Sequence, residues 1–80
     1  MSPSDPNLDH WSVTVASRHH VSQVVTTARM LDVSASTSGC VVDLIGQKGQ
    51  ANWLAYNLVS SGLATEARSF DGVVMRKEAP

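Results

Sequence analysis

Val41-Val42-Asp43-Leu44-Ile45-Gly46-Gln47-Lys48-Gly49-Gln50-Ala51-Asn52-Trp53-Leu54-Ala55-Tyr56-Asn57-Leu58-Val59 reads as a strand, a glycine-flanked turn and an amphipathic helix in direct succession. Cys40 to Ile45 shows little alternation, as expected of a central strand covered on at least one face. Ala51, Leu54, Ala55, Leu58 and Val59 recur at the spacing of one helical stripe, which predicts a helix from about Gln50 to Ser61. Gly62 stands where a left-handed cap residue belongs. Between strand and helix, Gly46 and Gly49 can take positive φ and permit a tight turn. The N–H groups that open a helix lack intrahelical partners and carry the positive end of its dipole. An anion such as a phosphate could dock there, with Lys48 as a point charge beside it. The same pattern also makes an ordinary solvated turn.

Upstream, Trp11, Val13 and Val15 alternate with Ser12, Thr14 and Ala16, the period of a half-buried strand. Arg18-His19-His20 follows as a short basic connection. Val21, Val24, Val25, Ala28 and Leu31 then form a second helical stripe. Its many β-branched residues make that helix intrinsically weak, so packing must hold it. Ser34 to Gly39 reads as a small-residue loop. Downstream, Ala64 to Phe70 and Val73 to Lys77 flank Asp71-Gly72, a strong hairpin signal. The predicted order is therefore β-α-β-α-β-β: a two-layer α/β sandwich with a mixed sheet and two helices on one face. Residues 1–8 read as a flexible leader and residues 9–78 as one domain.

Eighty residues make a single domain with a core near the lower limit for folding without staples. The apolar fraction of 42% and the regular patterning argue for a folded chain. Cys40 is the only cysteine, which excludes an internal disulfide and zinc sites needing two or more cysteines. The expected compartment is the cytoplasm, with no membrane span and no signal peptide. A net charge of −1 weighs against strong nonspecific nucleic-acid binding. Removing Asp5 and Asp9, in or near the leader, leaves the folded part slightly basic.

The element order, the basic loop after the first strand and the loop Gly46-Gln47-Lys48-Gly49-Gln50-Ala51-Asn52 together resemble the Alba superfamily. The resemblance spans about Leu8 to Glu78 and is most specific from Val42 to Val59. It implies an Alba-like fold that binds DNA or RNA, commonly as a dimer, with the two loops and a terminal hairpin lining the binding face. Carried over, Arg18, His19, His20 and Lys48 would touch backbone phosphates. Gln47, Gly49 and Gln50 would complete the second loop, and Arg76 and Lys77 would sit on the hairpin. The chain departs from the pattern in three places. Gln50 stands where a basic residue is frequent, Ser17-Arg18 replaces a lysine pair, and the hairpin is short.

Other candidates have bland readings. Adjacent His19 and His20 lack a third ligand at a telling spacing, so no metal site is expected. Cys40 reads as a small core residue. Trp11 reads as core or interface. Trp53 and Tyr56, at the edge of the second helical stripe, read as a dimer interface, although Trp53 could also stack on a base. Asp43 and Glu66 lie in different strands with no visible partner, and no nucleophile elbow occurs. No catalysis and no cofactor are expected. Two functions remain. The first is weak, salt-sensitive binding of DNA or RNA, with a log–log salt slope of about −3.6 for four neutralised phosphates. The second is a protein-interaction module of the same fold, acting through self-association or a protein partner.

Overall fold

The computed structural model describes residues 8–76. Strand β1 (Leu8–Val15) leads through a 3-10 turn at Arg18–His20 into helix α1 (Val21–Met30). Strands β2 (Ser34–Ser38) and β3 (Val41–Gln47) follow, then helix α2 (Lys48–Ser60) and strands β4 (Ala64–Ser69) and β5 (Val74–Arg76). The five strands form one sheet in the order β2-β3-β1-β4-β5, and every neighbouring pair is antiparallel. Both helices pack on the sheet face that carries Trp11, Val13, Val15, Val42 and Leu44. The two-layer α/β sandwich is as expected. The elements up to β4 make two interlocked split β-α-β units of the ferredoxin-like kind, with β5 added beyond β4.

Two expectations are corrected together. Ser34 to Gly39 is not a loop: Ser34–Ser38 is an edge strand, paired with β3 from Ser34↔Ile45 to Ser38↔Val41. Gly39-Cys40 is the two-residue turn that joins them. Gly39 has φ of 61° while Cys40 stays negative, the pattern of a hairpin turn with glycine first. This additional strand reverses β3. The order is therefore β-α-β-β-α-β-β rather than β-α-β-α-β-β, and the sheet is antiparallel rather than mixed.

The core follows the sequence periodicity. All five residues of the α2 stripe are buried, as are Val24 and Ala28 of α1, with Val21, Val25 and Leu31 packed against them. Trp11 is core, 3% exposed, and its indole Nε1–H donates to Asp9 Oδ2 at 2.9 Å. Asp9 thus belongs to the folded domain. Cys40 is a half-buried turn residue, not the start of a covered strand. Gly62, with φ of 87°, ends α2 in the left-handed conformation, and Gly72, with φ of 94°, turns the β4–β5 hairpin. Gly46 and Gly49 do not have positive φ. Gly46 is buried within β3 for a steric reason: a Cβ there would lie 3.0 Å from Val33 Cγ2 and 3.4 Å from Val33 Cα. Gly49 lies in the first turn of α2, with open space where a Cβ would be.

Candidate functional site

The β1–β3 register decides which of the sequence-derived site residues can act together. Leu8 pairs with Gln47 and Thr14 with Val41, so β3 runs down while β1 runs up. Arg18, His19 and His20 follow the C-terminal end of β1. Gln47, Lys48 and Gly49 lie beside its N-terminal end. About seven residue steps of ~3.3 Å put the two loops on the order of 20 Å apart, at opposite ends of the sheet. Parallel β1 and β3 would have placed them together.

At the Gln47 end, Lys48 is exposed and opens a 13-residue helix. Gln47 makes no capping hydrogen bond and no acidic residue lies in the first turn, so these helix N–H groups face solvent beside one cation. Gln50 turns away from this site, and its Nε2 donates to the Leu31 carbonyl at 3.4 Å, closing the last turn of α1. At the other end, Ser17 Oγ accepts from the His19 N–H at 3.3 Å and caps the 3-10 turn. Exposed Arg18 and Lys48 have no carboxylate partner among the described residues.

Arg76 lies on the hairpin as expected, but it is engaged. Its Nε donates to Glu66 Oε1 at 2.9 Å, and Arg68 Nη2 reaches Glu66 Oε2 at 3.4 Å. Glu66, read from sequence as unpartnered, is thus held between two arginines. Asp43 also has a neighbour, His10 Nε2 at 3.5 Å. Exposed pairs of this kind contribute little to stability, about 0–1 kcal/mol each. Their effect is to neutralise the open sheet face. Lys77 lies outside the described residues.

Sequence reading missed two surfaces. On the open face, the His10 and Phe70 rings stack with centroids 6.4 Å apart, and Leu8, Ile45, Phe70 and Val74 are exposed. The signal was the even-numbered positions of the first strand, which must face away from Trp11 and Val13. The other surface is the outer edge of β2, whose only signal was a glycine-first turn between two extended runs. On the helical side, Trp53 and Tyr56 are 55% and 60% exposed, three residues apart on α2. Among the described residues, no three His, Cys, Asp or Glu side chains gather to hold a metal ion, and no helix is long and apolar enough to cross a membrane. Comparison with known proteins finds no match to this chain among family models, curated proteins or solved structures.

Proposed function

We propose that this chain is a non-catalytic protein-interaction module that works by self-association and leaves Trp53 and Tyr56 on α2 exposed for a separate protein partner. The observation that supports this reading most strongly is the separation of the cations. Arg18 and Lys48 sit at opposite ends of β1, and Arg76 is paired with Glu66. These three cations, the described members of the expected four-phosphate footprint, do not share one face of a protomer. Exposed aromatic side chains, by contrast, are what protein interfaces select. The Alba resemblance retains its Gly46–Asn52 segment, but the element order that accompanied it is replaced.

A second reading keeps one part of the nucleic-acid hypothesis. Lys48 beside the uncapped start of α2 suits a single phosphate. Sedimentation equilibrium of the full chain, together with fluorescence anisotropy of labelled DNA and RNA at about 50 and 200 mM salt, separates the two. Mass-action self-association is expected. Any oligonucleotide binding should show a log–log salt slope no steeper than about −0.9 and should disappear in Lys48→Glu. A chain that stays monomeric and binds duplex DNA with a slope near −3.6 overturns the proposal in favour of a multi-phosphate surface.

A further inference from the structure

The two edges of the sheet are unlike. At the β5 edge the described strand carries Arg76 in its pair with Glu66. Charge is among the usual devices that keep an edge from pairing with another chain. The β2 edge lacks it: Ser34-Ala35-Ser36-Thr37-Ser38 is five residues long, without charge or proline, and β2 pairs with β3 in unbroken register.

Its hydrogen-bonding pattern follows from the turn. The two-residue Gly39-Cys40 turn closes on Ser38 and Val41, so Ser38 directs its N–H and C=O toward β3. Antiparallel alternation makes Ser36 and Ser34 do the same, which leaves the N–H and C=O of Ala35 and Thr37 pointing outward. That pattern is self-complementary about Ser36. In an antiparallel pair of β2 strands, Ala35 N–H would donate to Thr37 C=O of the second copy, and Thr37 N–H to Ala35 C=O of the second copy. The two-fold axis repeats both bonds, giving four.

The side chains fit the same arrangement. Ser36 meets Ser36 of the second copy and Ser34 meets its Ser38, all small hydroxyls on the open face. On the helical side Ala35 meets Thr37. Beside the strand, a cleft of about 480 Å³ is lined by Arg29, Asp32 and Val33 together with Ser34, Ala35 and Ser36. Its two opposite charges bring no net repulsion to the two-fold. We infer that β2 is the self-association edge, joining two copies of this chain into one ten-stranded antiparallel sheet with all four helices on the same side.

The inference rests on the self-association reading and specifies its surface. So small a strand contact buries less than a standard interface of about 800 Å² per partner, so the dimer should be concentration-dependent. Sedimentation equilibrium from about 1 μM to about 1 mM tests it on the full chain and three variants. Ser36→Lys sets like charges together on the axis and should weaken the dimer about tenfold or more. Thr37→Pro removes the outward N–H from each copy, two of the four bonds, while sparing the β3 ladder, and should abolish dimerisation. Trp53→Asp should leave it unchanged. Circular dichroism confirms folding, and if Thr37→Pro unfolds, Ser36→Lys decides alone. Wild type that remains monomeric overturns both this inference and the self-association reading. A dimer that Trp53→Asp dissolves and Ser36→Lys spares overturns the β2 edge but retains the reading. A dimer indifferent to all three variants overturns the edge in the same way.

Discussion

Trp11→Ala should lose about 3–5 kcal/mol of unfolding free energy, read from urea denaturation. The indole is 3% exposed and lies on the central strand, between Leu44 on β3 and Ser69 on β4. Truncation removes the largest side chain of the core and leaves a cavity that the flanking strands cannot close. It also removes the 2.9 Å bond to Asp9. For a domain of this length the whole stability is on the order of 4–12 kcal/mol, so the loss is a large fraction of it and at the low end of that range leaves the variant partly unfolded without denaturant. Trp11→Phe keeps most of the bulk and should lose less. A loss under about 1 kcal/mol for the alanine variant would show that the indole is not in the core.

Gly46→Val is the second large effect, with an expected loss of about 3 kcal/mol, the upper end of the overpacking range. The first added carbon would stand 3.0 Å from Val33 Cγ2 and 3.4 Å from Val33 Cα. Val33 is 2% exposed and follows Asp32, whose φ of 60° turns the chain from α1 into β2. Side chain and backbone would both have to move. Gly49→Ala is the contrast. Its Cβ meets nothing within 4 Å and its φ is negative, so the substitution should be neutral or stabilise by up to about 1 kcal/mol. Equal losses at the two positions in thermal or urea unfolding would contradict the packing and favour a turn that needs both glycines.

These two glycines show where the sequence was legible and where it was not. The stripe Ala51, Leu54, Ala55, Leu58 and Val59 was readable because one face of α2 is fully buried, and burial leaves a period. The alternation of Trp11, Val13 and Val15 was readable for the same reason, and Asp71-Gly72 because a hairpin demands positive φ. Strand β2 left no such mark. Ser34, Ser36, Thr37 and Ser38 are exposed and Ala35 is small, so no hydrophobic alternation separates it from a loop. Missing that one strand inverted β3, and with it the end of the sheet to which Lys48 belongs. The positions of Lys48 and Arg18 along the chain were correct, but their proximity was not. Gly46 looked like a turn residue because its contact with Val33 is tertiary, and spacing cannot reveal it.

The separation of Arg18 from Lys48 underlies the functional reading, and a distance between them tests it most directly. Nitroxide labels at Arg18→Cys and Lys48→Cys, in a Cys40→Ser background, can be measured by electron spin resonance in dilute solution. Antiparallel β1 and β3 require roughly 20 Å or more between the labels. A separation of about 10 Å, the ~5 Å spacing of neighbouring strands widened by the reach of the labels, would contradict the antiparallel pairing and return the two loops to a single phosphate-binding face.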